Sequence, residues 1–248
     1  MHRLLFTAAF LLQAFAGIAQ SEESNATDPA LKANQNAIIE KYLKKGAWQY
    51  SYFDPAWEKN INAGLAEDST IAYLWQQKAM PLFKRRKYEL GMQYLDQAVR
   101  YDTGWLDYRA FIKCIFAKTY RSALADFAIC EKKKGNSYVM DHTYDFYKAI
   151  CYLQLNEYKM ALSLLKSQVD SISRTKGPDW VHHLDLFYLG IAYYELSDYD
   201  NAIVAFDKAI GKFSRFSDAK YAKGKCLLLK GDEQKGMALL KEAKADFE

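Results

Sequence analysis

The sequence predicts an all-α chain, an α-solenoid of helix–turn–helix repeats. Three observations carry that prediction. Only 4 of 248 residues are proline, while Ala, Leu, Lys and Glu, all strong helix formers, are abundant. Small residues recur along the chain at near-regular steps. Each such residue follows an aromatic or polar residue at a fixed offset, as expected of a repeated helical hairpin.

The repeat is clearest from His183 to Phe216. Leu186, Leu189, Gly190 and Tyr193 have the spacing W-x2-L-G-x2-Y, Ser197-Asp198-Tyr199 makes the turn, and Ala202, Phe206 and Ala209 follow. The pattern is a packing code. Gly190 lets the two helices approach at Ala202, and Leu189, Tyr193 and Phe206 fill the flanking volume. Gly91, Ala123, Ala161, Ala202 and Gly236 mark five phased units, with steps of 32, 38, 41 and 34 residues. Three before each marker stands Tyr88, Tyr120, Tyr158, Tyr199 or Glu233. Seven after it, four units carry Ala98, Cys130, Ala209 or Ala243, and the third carries Gln168. The uneven steps predict altered loops or longer helices, the longest departure falling at Ser171–Asp179, where Gly177 suits a helix C-cap and Pro178 blocks continuation.

This unit resembles the tetratricopeptide repeat (TPR), a helical hairpin of about 34 residues. The strings AWQYSYFDPAW, YLWQQKAMPLFKRRKYELGMQYLDQAV, WLDYRAFIKCIF and GPDWVHHLDLFYLGIAYYE are similar to exported TPR proteins of Bacteroidetes-type bacteria. The resemblance covers most of the chain beyond its leader. It implies a right-handed solenoid and an envelope location, and carries no assigned activity.

The remaining elements follow in order. Met1–Gln20 has a short basic start, an apolar run from Leu4 to Ile18, and Gly17 and Ala19 before a cut. It reads as a secretory signal peptide, residues 1–19, cleaved after Ala19. Gln13 inside the run and the missing basic stop-transfer flank argue against a membrane anchor. No cysteine stands near the junction, so a lipoprotein is not expected. Residues 20–33 read as a flexible tether, with an Asn25-Ala26-Thr27 glycosylation sequon. Residues 34–70 read as a degenerate N-terminal repeat. Within it, Ala37–Lys45 is helical, Asp54 caps a second helix that starts at Pro55, and Trp57, Ile61 and Leu65 form its apolar stripe. The linker Gly46–Phe53 is too aromatic for a bare loop and is expected to pack on the next repeat. Five TPR units then occupy 71–248. Pro81 lies inside the first helix of the first unit and predicts a bend or break near Ala79–Pro81.

Composition bounds the function. A chain that is 50% apolar and 15% aromatic is not disordered, and a net charge of +4 is too small for binding dominated by nucleic-acid phosphates. No later stretch is long and apolar enough to span a membrane. There is no GxSxG, P-loop, HExxH or GxGxxG motif. The one metal-like group, Asp179, His182, His183 and Asp185, offers too few ligands on one helix face for structural zinc; Asp179 reads better as a helix cap. No cofactor and no enzymatic activity are expected. Of Cys114, Cys130, Cys151 and Cys226, only Cys114–Cys130 lie within one unit close enough to test for a bridge, and free thiols are expected.

Binding is the function class that remains. In a TPR array the first helix of each unit lines the concave groove. The predicted groove positions are Tyr73, Gln76, Met80 and Phe83; Trp105, Tyr108, Ile112 and Ile115; Thr143, Phe146, Ile150 and Leu153; Leu184, Phe187, Ile191 and Tyr194; and Asp218, Tyr221, Lys225 and Leu228. This strip is mostly apolar and aromatic, the chemistry of a binding surface. Trp105, Tyr108, Phe146, Phe187, Tyr194 and Tyr221 are the candidate peptide-contacting residues. TPR domains that clamp a C-terminal carboxylate use Lys, Asn and Arg at such positions, so an extended or helical segment held by apolar contacts suits this strip better. A scaffold or adaptor that binds a protein or peptide is therefore the first reading. A small-ligand binder or enzyme of the envelope, for a glycan or lipid, is the second, and a purely structural module the third. Leu239, Leu240, Ala243 and Phe247 on the last helix raise end-to-end self-association, against inward packing on their own repeat. Lys84–Lys87 and Lys132–Lys134 suit helix C-termini, where cations meet the negative end of the dipole.

Overall fold

The computed structural model describes residues 29–247, in two bodies, one up to Thr103 and one from Gly104 onward. The leader, the sequon at Asn25 and tether residues 20–28 lie outside the described residues. Twelve α-helices account for nearly all regular structure among them.

The N-terminal body contains α1 (Pro29–Ile38), which continues as a π-helical turn Ile39–Lys44, α2 (Pro55–Glu67), α3 (Ala72–Lys84) and α4 (Tyr88–Tyr101). Because α1 starts at Pro29, residues 29–33 are helical rather than tether. Asp54 caps α2 by accepting the Ala56 N–H at 2.8 Å, and Pro55 occupies the first helical position, where its missing N–H costs nothing. Trp57, Ile61 and Leu65 are buried with Ile38, Leu43 and Leu74 in a small core.

Pro81 does not break its helix. α3 runs unbroken from Ala72 to Lys84, which corrects the predicted interruption. Proline removes the N–H that would bond to the carbonyl four residues earlier, and that carbonyl belongs to Gln77. The buried Trp57 indole N–H of α2 donates to it at 3.4 Å. The Gln77 side chain is held as well: its Oε1 accepts from Trp48 Nε1 at 3.3 Å, and its Nε2 donates to Gln76 Oε1 at 2.7 Å.

The C-terminal body stacks four hairpins: α5 (Leu106–Ile115) with α6 (Tyr120–Lys134), α7 (Tyr144–Gln154) with α8 (Tyr158–Thr175), α9 (His183–Glu195) with α10 (Tyr199–Lys212), and α11 (Ser217–Leu229) with α12 (Glu233–Phe247). The first repeat, α3 with α4, is built the same way. Every second helix opens at the residue three before its marker. Arg86, Lys118, Asn156, Ser197 and Gly231, each two residues before that opening, adopt positive φ. In four of the turns the next N–H reaches back five residues, as from Lys87 to Leu82 O at 2.8 Å and Asp198 to Tyr193 O at 2.9 Å. This left-handed C-cap satisfies the helix-end carbonyls and reverses the chain.

The long steps have two causes. An unforeseen antiparallel hairpin, β1 (Tyr138–Val139) with β2 (His142–Thr143), separates α6 from α7. Helix then runs through most of Ser171–Asp179, because α8 continues to Thr175 before Gly177, at φ 101°, and Pro178 turn the chain. Inside the second repeat, buried Asp126 of α6 receives Arg109 through two bonds of 2.8 Å and Lys113 at 2.7 Å.

Each hairpin closes on small residues. A methyl added at Gly190 would lie 2.5 Å from Phe206 Cε1, and one at Gly91 2.4 Å from Phe83 Cε1. Gly224 and Gly236 face one another, each added methyl falling within 3.2 Å of the other's carbonyl oxygen. Phe206 is completely buried and has no space to withdraw. Gly190→Ala is therefore expected to destabilise the chain by about 1–2 kcal/mol, since overpacking of about 1–3 kcal/mol outweighs the better helix propensity. Gly211→Ala, whose added methyl meets nothing within 4 Å, should stabilise it by about 0.5–1 kcal/mol. Chemical denaturation of both variants checks the pair. Trp57→Phe, which leaves the Gln77 carbonyl buried without a donor, should cost about 1–3 kcal/mol in the same measurement.

Candidate functional site

The predicted groove residues divide by environment. Tyr194, near the end of α9, and Tyr221, on α11, flank Lys225, whose ammonium lies 4.8 Å and 6.0 Å from their ring centres. Tyr221 is 55% exposed. A hydrogen bond from the Lys225 ammonium to the Tyr194 hydroxyl oxygen raises the Lys225 pKa, so the ammonium stays charged. Trp105 and Tyr108 form a second exposed-edge pair at the start of α5, half-buried, with ring centres 5.9 Å apart and nearly perpendicular.

Phe187 is half-buried in the seam of its own hairpin, 5.9 Å from Phe206 and 5.0 Å from Phe216. Phe146 is only 3% exposed. It stacks on His142 at 3.8 Å and meets Tyr188 edge-on at 5.5 Å, so it belongs to the packing and not to an open groove. Thr143, Ile150 and Leu153 are buried with it. Residues on both α5 and α9 come against α7, and the strip that the pattern points outward is covered there. Gln76, Phe83 and Ile112 are buried too.

The N-terminal body holds a recess that single-residue reading did not find. It encloses about 340 Å³. Tyr52, Trp57, Leu82 and Tyr94 line it, with Phe53 and Arg85 together at one wall. The Arg85 guanidinium sits 5.1 Å over the Phe53 ring and donates to the Phe53 carbonyl at 3.4 Å. Lys78 lies 4.6 Å over Tyr94. The linker aromatics are thus largely open: Trp48, Tyr50 and Phe53 are 46%, 45% and 57% exposed. The linker, expected to pack on the next repeat, and the Lys84–Lys87 run, read as a helix C-terminus, both contribute lining residues to it, and no spacing rule joins them.

A second, more polar recess of about 200 Å³ lies in the C-terminal body. Its floor is a buried chain: Thr143 Oγ1 donates to Gln168 Oε1, and Gln168 Nε2 donates to Asp185 Oδ1 at 2.8 Å. Gln168, the residue at which the third repeat departs from its pattern, therefore has a defined part. His182, not Asp179, caps α9, its Nδ1 accepting the Leu184 N–H at 3.3 Å, and the Asp179 side chain is fully exposed. The His182 and His183 rings pack side by side at 4.1 Å, with His142 5.1 Å from His182. Among the described residues no group of three His, Cys, Asp or Glu has metal-holding geometry. Burial first, then the neighbouring imidazoles, holds His142 down at about 4, and burial lowers His182 and His183. Burial pushes Asp185 up to about 6.

The cysteines are free and buried. Cys114 faces α7 and not Cys130: its thiol donates to the Tyr147 carbonyl at 3.5 Å and interacts with Cys151, and burial raises it further. On the last helix Ala243 is buried, Leu239 and Leu240 are half-buried, and Phe247 is 84% exposed.

Comparison with known proteins agrees with this architecture. Residues 188–247 match a tetratricopeptide repeat family model. The tetratricopeptide repeat match thus covers the last two hairpins, which follow the same helix–turn–helix plan as those before them. Similar solved structures include a TPR protein from Parabacteroides merdae, 13% identical with TM-score 0.67, covering 86% of this chain and 79% of that one. MamA from Desulfovibrio magneticus is 19% identical with TM-score 0.58, covering 70% and 93%. YrrB, described as a TPR protein with an unusual peptide-binding site, is 17% identical with TM-score 0.52, covering 75% and 91%. At these identities the likeness concerns the fold. No curated protein sequence matches.

The histidines give the chain an acid sensitivity of definite sign. A histidine held below its ordinary value of 6.5 is neutral when folded, so the unfolded chain takes the proton first, and stability is full above that value and falls toward pH 4. Asp185 works in the opposite direction, because its folded carboxyl takes a proton before the unfolded one does. The loss from His142 begins below 6.5, above the value of about 6 at which Asp185 starts to offset it. Thermal melts should show stability dropping between pH 7 and pH 5, and His142→Gln should flatten that slope; an unchanged slope would contradict it.

Proposed function

We propose that this chain is an exported, non-enzymatic TPR scaffold that holds a peptide or protein segment on exposed aromatic side chains of its first-position helices. The observation that carries the reading is the Tyr194–Lys225–Tyr221 cluster. Three predicted groove positions on two successive repeats come together there, and Tyr221 is too exposed to serve the core. Large aromatics with few rotatable bonds lose little entropy when they bind, which makes them effective anchors. Trp105 and Tyr108, half-buried at the start of α5, supply a second anchor of the same kind. The cation among the rings selects a segment with a carboxylate or backbone carbonyl beside an apolar group.

Peptide or protein binding is usual for this fold, and one structural neighbour is described by its peptide-binding site. The leader pattern of residues 1–19 supports export, and no described helix is long and apolar enough to cross a membrane. Immobilised wild-type chain and the Tyr194→Ala/Tyr221→Ala double variant, exposed to the same envelope extract, test the surface. A polypeptide retained by the wild type should be lost from the variant while its helical circular dichroism is unchanged. Equal retention by both would overturn this site. N-terminal sequencing of protein recovered from the envelope should read from Gln20, and an intact Met1 would contradict export.

A further inference from the structure

The polar recess of the C-terminal body is independent of the aromatic surface just proposed, and its chemistry is different. We propose that it is a carbohydrate site, taking one neutral pyranose ring of a glycan against Trp180 and Tyr138.

Two features support this. The first is a fixed aromatic platform. Trp180 is 69% exposed and Tyr138 58% exposed, and both line the recess. Trp180 ends a short 3-10 turn that begins at Pro178. Its backbone N–H donates to Gly177 O at 3.2 Å, and Lys212 Nζ donates to the neighbouring Asp179 carbonyl at 3.1 Å. Val181 anchors the turn in the core. A large indole held to solvent by a pinned turn contributes little to folding, whereas its flat face matches the C–H face of a sugar ring.

The second feature is the floor. Thr143, Gln168 and Asp185 are buried and bonded to one another, so their remaining donors and acceptors point with little freedom. His142 stacks on Phe146 and keeps its two nitrogens at the ring edge. His182 uses Nδ1 as an acceptor, which places its proton on Nε2. The recess thus mixes donors and acceptors within one ring's reach, and hydroxyls, which do both, are the complementary groups. Its volume of about 200 Å³ is below the roughly 300–1,000 Å³ of drug-sized pockets, enough for a single ring.

Charged ligands fit less well. An anion would meet Asp141 and Asp185, and a cation would meet Lys176, which lies 6.0 Å from the Trp180 ring. A neutral polar ring avoids both conflicts.

Isothermal titration of the full chain with cellotetraose, chitotetraose and the monosaccharides glucose, galactose and N-acetylglucosamine tests the assignment. At least one should bind saturably with a millimolar constant. Trp180→Ala, an exposed position whose loss leaves the core intact, should weaken it about tenfold or more. His142→Gln should weaken it too, while Tyr221→Ala should bind as the wild type does. No saturable binding by any of the five would overturn the proposal. So would full affinity in Trp180→Ala, or binding of N-acetylarginine amide in place of the sugars, which would make the recess an anchor for a basic peptide side chain.

Discussion

The close approach of paired helices is the constraint on which the rest of this chain depends. A helical hairpin of this length buries too little to hold unless its helices nearly touch. Here they touch through glycine and alanine. The Phe206 ring lies over Gly190, Phe83 over Gly91, and the backbones of α11 and α12 meet at Gly224 and Gly236. Once a ring is seated in that way, its rotamer and the helix register are fixed together. The left-handed caps follow from the same requirement. Tightly paired helices leave room for only a short turn, and residues as ill-suited as Arg86 and Lys118 accept positive φ to make it.

The N-terminal body solves a harder version of this problem. Its α3 carries a proline where an ordinary helix would have an N–H, and the deficit falls on a buried carbonyl. The donor comes from another helix: the Trp57 indole. A bond that repairs a local defect therefore also ties α2 to α3. Trp57 and Pro81 both line the aromatic recess of that body, so the repair also shapes the wall of a cavity.

Much of the fold was legible in the sequence because close packing imposes a repeat period. The marker residues gave the five hairpins, and Asp54-Pro55 gave the start of α2. The β1–β2 hairpin was not legible, because two-residue strands carry no periodicity. Nor was the survival of α3 across Pro81, since it rests on a donor 24 residues earlier in the chain. The site was less legible than the fold. Period alone places Phe146 and Tyr221 at the same position of their repeats, yet one is buried and the other open. Their difference is set by what covers each helix. Around α7 the rings of His142 and Tyr188 close over Phe146, whereas Tyr221 stays 55% exposed with the Lys225 ammonium 6.0 Å from its ring.

That contrast indicates where to look for function in an array of this kind. Inside the repeat, aromatic side chains are consumed by packing, as Phe206, Phe127 and Tyr144 show by their complete burial. Half of the exposed large aromatics among the described residues stand where the period is broken, at the linker before α2, at the β1–β2 hairpin and at the turn after Gly177, and the others, Tyr221 among them, on helices or at their ends. Two of those irregularities, carrying Tyr138 and Trp180, converge on the polar recess, and the third supplies Phe53 to the aromatic one. A helical hairpin needs none of these insertions for its own stability. They cost loop ordering and leave large apolar surface wet, so they are explained by something other than the packing of the hairpins.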